Sequence, residues 1–298
     1  MTLRSTRRGF LRSSAAAVPI LAFSPSAKAW LTCTQAAADA VAIPGLDGVL
    51  LTSASDRAAA ADDWGHIVSE TPLAVLVPAS IDDVRKAIKF ANQHCIKVGP
   101  MSMVGNSHST QGQSQAACGL VIDMSGLSEI HAINANDAVV DPGVRWYELL
   151  QQTLPLGKSP PVLTDHIDLS IGGTLSVGGI GGQTARHGLQ ADNVLELWVV
   201  TGEGKLRQCS PSNNVGLFNA VRGGLGQFGV IVRAKVKLIA VKPLARQYTA
   251  VYADVASLIA DQVTLMNEGR FDYVEGLGLP QPDDSYVLLL QAVKYFDP

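Results

Sequence analysis

Apolar and polar positions along the chain follow two periods, and these locate most of its elements. Residues 73–77 form a continuous apolar run ended by Pro78, which reads as a buried strand. Ser80 follows as an N-cap with Asp82 and Asp83 in the first turn, and Val84, Ala87, Ile88 and Ala91 recur at helical spacing. Residues 95–98 read as the next strand, giving a β-α-β opening. Residues 119–124, 130–133 and 138–140 read as further strands, with Asn136-Asp137 as the turn between the last two. A helix is expected over 144–154. A buried strand over 194–201 returns through Gly202-Glu203-Gly204 into 205–209. Over 230–239, Val232, Ala234, Val236 and Leu238 alternate with Arg233, Lys235 and Lys237, the pattern of a half-exposed strand. Beyond Pro243 the order is strand, helix (255–267), strand (271–279), turn and strand (286–294). Helices mixed with mainly antiparallel hairpins predict an α+β fold, with a second unit starting near 244.

Composition narrows the function. Of 298 residues, 47% are hydrophobic, enough for a sizeable core. A net charge of −3 gives no basic footprint, so nucleic acid is not an expected partner. No run of eighteen apolar residues occurs, so no membrane span is expected. The four cysteines, Cys33, Cys95, Cys118 and Cys209, lack metal-like spacing, and their pairing is open among three connectivities.

The N-terminus reads as a targeting segment. Ser5-Thr6-Arg7-Arg8-Gly9-Phe10-Leu11-Arg12 precedes a moderately apolar stretch over 15–23, and Ala27-Lys28-Ala29 offers small residues for cleavage. This resembles a bacterial twin-arginine signal and implies export to the periplasm or medium by the twin-arginine machinery, which handles folded, cofactor-loaded proteins. The expected organisation is a signal over 1–29, a leader over 30–63, a main domain over 64–243 and a partial second domain over 244–298.

Three separated motifs carry chemistry. The first is Gly105-Asn106-Ser107-His108-Ser109, in a loop between two expected strands. The second runs from Asp165-His166-Ile167-Asp168 through Ser170-Ile171-Gly172-Gly173-Thr174-Leu175-Ser176 to Arg186-His187-Gly188. The third is Gly223-Gly224-Leu225-Gly226-Gln227-Phe228-Gly229. Glycines and small hydroxyl residues let a backbone approach a flat ligand, and the spacing does not fit a nicotinamide fingerprint. A neutral imidazole such as His108 is a competent nucleophile, and a carboxylate such as Asp165 can accept a proton, with His166 and Asp168 as nearby competitors.

In this order, over about residues 64–278, the motifs resemble FAD-linked oxidases of the vanillyl-alcohol-oxidase and p-cresol-methylhydroxylase type, and within them cytokinin dehydrogenases. The resemblance implies an FAD-binding domain in two subdomains and a substrate domain. It implies FAD contacts from Gly105, Asn106, Ser107, His108, Ser109, Gln113, Asp165, Ser170, Thr174, Ser176, Ile180, Val230 and Ile231. It also implies a covalent bond from His108 to the flavin, and Asp165 as acceptor of the substrate's proton. Backbone N–H groups of Gly172, Gly173, Gly178, Gly179, Gly181 and Gly182 are expected to line the diphosphate, and His187 to support that loop.

The chain departs from the family pattern at several positions. Asn106 and Ser107 replace the arginine and second glycine of the family's Gly-Arg-Gly-His-Ser, and Leu163 replaces the tryptophan of its Trp-Thr-Asp. Gln291 replaces a substrate-binding glutamate of cytokinin dehydrogenases. The family continues past residue 298, so the chain is expected to be C-terminally truncated and to hold FAD incompletely. The implied reaction is oxidation of an amine or alcohol C–H bond by hydride transfer to FAD, with the electron acceptor open. Alternatives are a sugar or alditol oxidase of the same superfamily, an inactive flavin-binding fragment and, more distantly, a periplasmic binding module without flavin.

Overall fold

The computed structural model describes residues 20–32, 41–103 and 107–298. The paired arginines at 7–8, the start of the apolar stretch at 15–19, Cys33, Gly105 and Asn106 lie outside the described residues. A short three-stranded sheet is formed by β1 (Ile20–Ser24), β2 (Ala29–Thr32) and β3 (Val41–Ala42), with β1 in the middle. It spans the end of the expected signal segment. Phe23 is buried there, its ring 4.9 Å from that of Trp30 and 6.0 Å from that of Phe90.

The second sheet comprises β4 (Val49–Leu51), β5 (Ala74–Val77), β6 (Val98–Met101) and β7 (Leu120–Asp123), in the order β4-β5-β7-β6. Helix α1 (Ala54–Ala59) precedes β5, and α2 (Ile81–Gln93) joins β5 to β6. Pairing is parallel for β5–β7 and β6–β7, as the expected β-α-β opening requires, and antiparallel for β4–β5. The cause of the parallel pairing is the α2 crossover, which returns the chain to the same end of the sheet. Ser80 caps α2 as read from the sequence, and Asp83 closes the capping box. The fully buried Asp83 carboxylate also accepts from the N–H groups of Asp47 at 2.8 Å, Gly48 at 2.9 Å and Ala79 at 2.9 Å, fixing the chain before β4 to the helix start.

Strand β6 starts three residues later than expected. Cys95 has φ of 54° and belongs to the turn after α2. Pro100, which has no N–H to donate, is accommodated because β6 is an edge strand.

The third sheet has five antiparallel strands, β8 (Ile130–Ile133), β9 (Asp137–Val140), β11 (Val194–Val200), β12 (Leu206–Cys209) and β13 (Val230–Lys237), ordered β12-β11-β13-β9-β8. Strand β10 (Lys158–Ser159) pairs with β14 (Ile239–Ala240) beside it. One face is covered by α3 (Trp146–Thr153), α4 (Ile171–Val177) and α6 (Val215–Val221), whose Trp146, Leu149, Ile171, Leu175 and Phe218 pack against Leu197, Val199 and Ile231. Each such fully buried aliphatic or aromatic side chain stabilises the fold by about 1.5–3 kcal/mol. Val200, Val230 and Val232 of this sheet meet Leu76, Ile122 and α2 of the second sheet, which joins the two layers in one core.

Beyond 243, β15 (Leu244–Tyr252), β17 (Tyr286–Phe296) and β16 (Tyr273–Pro280) form a fourth antiparallel sheet with β17 central. Helix α7 (Val255–Glu268) lies on it through Leu258. Gly276 permits that approach, since a Cβ there would sit 2.7 Å from Leu258 Cδ2. The combined helices and sheets are an α+β fold. Among the described residues, no helix is long and apolar enough to cross a membrane.

Candidate cofactor site

Between the second and third sheets lies a cleft of about 340 Å³, within the range of small-molecule sites. Three chain segments build it. The loop after β6 contributes Ser107, His108, Ser109 and Gln113, together with Thr110 and Ser114. The start of α4 contributes Ser170, Gly172, Gly173, Thr174 and Ser176. Strand β13 and the loop before it add Val230, Ile231, Leu225, Gly226 and Gly229. Nine of the residues expected from sequence to contact the cofactor therefore meet in one cleft.

The local geometry shows why these residue types recur there. Ser107 has φ of 41°, a left-handed conformation that costs a non-glycine residue about 1–2 kcal/mol and that glycine adopts freely. Its Oγ donates to the Ser102 carbonyl at 3.1 Å. Gln113 Oε1 accepts from the N–H groups of Thr110 and Gln111, closing the loop on itself. Gly226 and Gly229 have φ of 73° and 153°, and a Cβ on Gly229 would meet Val199 Cγ1 at 2.5 Å.

The glycine-rich stretch differs from its expected form. Gly172 and Gly173 belong to helix α4, not to an open N–H nest, and the Gly172 N–H donates to Pro142 O at 2.8 Å. A Cβ on Gly172 would lie 2.6 Å from Pro142 Cβ, so this glycine serves helix packing. The Gly178 N–H donates to Thr174 O and the Gly181 N–H to Thr184 Oγ1. Thr174 lines the cleft, while its Oγ1 accepts from the buried Trp146 Nε1 at 2.8 Å. Ile180 is 72% exposed and does not line the cleft. His187 ends α5 (Thr184–His187), where burial, followed by the Arg186 cation, holds its pKa below the usual histidine range.

At the His108 end of the cleft, the His108 ring lies 4.6 Å from that of His166 and 4.7 Å from that of Trp64. Asp165 adjoins His166 and is exposed. It accepts a long hydrogen bond of 3.4 Å from the Tyr273 hydroxyl of β16. The same hydroxyl donates a short hydrogen bond to Glu275 Oε2. Burial pushes the Glu275 carboxyl above the usual carboxylate range, with the Tyr273 hydroxyl opposing and nearby Asp165 adding to the rise. Burial, then Glu275 and Asp165, push the Tyr273 phenol well above the usual tyrosine range. Asp168, a competitor for Asp165 from sequence, instead pairs with Arg145 at 2.9 Å.

The link to β16 is reinforced by Arg186, which pairs with Asp272 at 2.8 Å. Burial opposes ionisation of Asp272, but the Tyr295 N–H, Lys294 and Arg186 prevail and hold it below the usual range. Tyr273 and Glu275 escaped the sequence reading as site residues. Their i, i+2 spacing puts them on one face of a strand, but nothing local connects that face to Asp165.

Residues 72–210 match the family described as FAD binding domain. The chain carries an FAD-binding domain. It is 41% identical over 252 residues to the uncharacterized oxidoreductase ORF5 of the fasciation locus of Rhodococcoides fascians, a match covering 85% of this chain and 56% of that protein. It is 41% identical over 237 residues to cytokinin dehydrogenase 9 of rice (Oryza sativa subsp. japonica), covering 74% and 44%. With cytokinin dehydrogenase 3 of Arabidopsis thaliana it shares 39% over 235 residues, covering 77% and 45%. The chain spans about half the length of the curated relatives it matches. The fit to FAD rests on the cleft itself, with small hydroxyl and glycine residues on one wall and apolar β13 on the other. The match covers the first two motifs picked out in the sequence, and residues of all three line the cleft.

Proposed function

We infer that this chain forms the flavin-binding part of an FAD-dependent oxidoreductase acting on an amine or alcohol C–H bond. The observation that carries this reading is the cleft lined by His108 between Ser107–Ser109 and Ser170–Ser176, with the His166 ring 4.6 Å from His108; Asp165, next to His166 in the chain, does not itself line the cleft. Bound FAD supplies the hydride acceptor. Ser107, His108, Ser109 and Gln113 would hold it from the β6 side, and Ser170, Thr174, Ser176, Val230 and Ile231 from the other. His108 would be its covalent anchor. Gly105 and Asn106 would continue the same loop.

Asp165 is assigned to accept the substrate's N–H or O–H proton. Tyr273 and Glu275 bear on it directly. Tyr273 donates to Asp165, and burial raises the pKa of the neighbouring Glu275 carboxyl, with Asp165 adding to the rise. The relatives' names point to cytokinins, and we place an N6-substituted adenine first among substrates. We further propose export through the twin-arginine machinery, with cleavage near Ala29 removing Phe23 from its contact with Phe90, and a domain boundary at 243–244.

The test is anaerobic mixing of the FAD-loaded chain with an N6-substituted adenine and, separately, with a polyol. Loss of the visible flavin band with the adenine, slowed on the order of 10²–10⁴-fold in Asp165→Asn, is expected for removal of a general base. Bleaching by the polyol alone would move the chain to the sugar-oxidase alternative. Bound flavin that no amine or alcohol reduces would sink the oxidoreductase reading for this chain and leave a flavin-binding fragment.

A further inference from the structure

Residues 63–65 precede the matched FAD-binding segment, yet they grip the loop that carries His108. Asp63 is a carboxylate only 3% exposed. Its Oδ2 accepts from Ser109 Oγ at 3.0 Å and from the Gly112 N–H at 2.8 Å, while Oδ1 accepts from the Gly65 N–H at 3.0 Å. The Trp64 N–H donates to Ser107 O at 3.1 Å. A Cβ on Gly65 would lie 2.0 Å from Thr110 O, so the two backbones are in close contact. The Trp64 indole lies on the His108 imidazole at 4.7 Å between centroids and 11° between planes. Trp64 is nonetheless 54% exposed, which is unusual for a side chain retained only to fill a core.

We propose that the Asp63-Trp64-Gly65 turn is the positioning element of the cofactor site: Asp63 fixes the loop over 107–112, and the Trp64 ring sets the plane of the His108 imidazole against which the flavin end of FAD binds. A loop with a strained Ser107 needs such an external hold. Without it, the left-handed residue would relax and carry His108 away from the cleft. A carboxylate is suited to the task because one charged group organises hydroxyl and backbone donors together. An aromatic face fixes the orientation of the ring that lies on it. The proposal rests on FAD occupying the cleft.

Two measurements on the full chain separate the proposal from that premise. In the chain without FAD, the contribution of Trp64 to the tryptophan emission is obtained by difference against Trp64→Phe, and again in a His108→Ala background. A contribution that changes when His108 is removed is expected from the stack, and an unchanged contribution overturns it whether or not FAD binds. FAD alone is then titrated into each variant. Trp64→Leu is expected to weaken binding roughly three- to tenfold, the size of one aromatic stack, and Trp64→Phe to restore it to within about twofold. Asp63→Asn is expected to weaken it by about tenfold or more. Circular dichroism confirms that each variant is folded; exposed Trp64 keeps the question answerable if Asp63→Asn does not fold. Equal affinity of Trp64→Leu and wild type overturns the positioning role. Failure of the wild type to bind FAD overturns the cofactor reading, and with it the positioning role, while the emission result still decides the stack.

Discussion

Gly182 is the most exacting point of contact between the FAD-binding domain and β16, and Gly182→Ala tests that contact. A Cβ built there lies 2.5 Å from Tyr273 Cζ and 2.6 Å from both Cε atoms. Ordinary contact begins near 3.4 Å, so the ring must retreat by about 0.9 Å. It cannot move freely, because the Val274 N–H donates to Gly182 O at 2.9 Å and ties the same strand to the same glycine. The 3.4 Å bond from Tyr273 to Asp165 has no slack to absorb that shift, and the bond to Glu275 is carried with it. Overpacking of this kind costs about 1–3 kcal/mol, to be read from urea unfolding followed by circular dichroism. Ultraviolet titration of tyrosinate gives a second readout. Burial and then Glu275 hold the Tyr273 phenol well above the usual tyrosine range, and in Gly182→Ala it should ionise nearer that range because the displaced ring is less buried and farther from Glu275. Unchanged stability together with an unchanged titration would refute the packing argument and loosen the connection between β16 and Asp165.

Other consequences follow from single residues. Asp83→Ala leaves the N–H groups of Asp47, Gly48 and Ala79 without their acceptor and removes the reciprocal half of the capping box at α2, and should cost about 2–4 kcal/mol in urea unfolding. Glu275 has a raised pKa in the folded state, so its contribution to stability is fully present below the unfolded value of 4.5 and is lost as pH rises through the folded value. Glu275→Gln should therefore gain stability relative to wild type across that window; a difference independent of pH would contradict the burial of this carboxyl. Ser107→Gly relieves a φ of 41° and should stabilise the chain by up to about 1 kcal/mol, measured as a rise in the unfolding midpoint.

What the sequence revealed depended on whether an interaction was local. The Ser80–Asp83 cap is encoded within a few residues and appears in the structure where the pattern put it, and the turn expected at Asn136-Asp137 lies one residue earlier, with Asp137 already in β9. Alternation over β13 matches its burial, with Val232, Ala234 and Val236 inside. Helix α4 was hidden because its paired glycines lower helix propensity and resemble a ligand loop; its stability comes from Ile171 and Leu175 packed under the third sheet and from the close approach to Pro142. The placing of β7 between β5 and β6 is a tertiary choice that alternation cannot express. In the site, the hydroxyl and histidine residues were legible because ligand-facing loops concentrate unusual residue strings. Glu275, more than one hundred residues from Asp165 in sequence, and the Asp63 turn, more than forty from the loop it holds, were not.

The central claim is that the cleft holds FAD with His108 at the flavin end. Its most direct test is the absorbance spectrum of the purified chain after incubation with FAD and removal of the excess, followed by acid precipitation. The account predicts yellow protein whose colour stays in the pellet, and His108→Ala protein whose colour is released or absent. Yellow colour that passes wholly to the supernatant would contradict the covalent anchor. Colourless protein would contradict the claim itself.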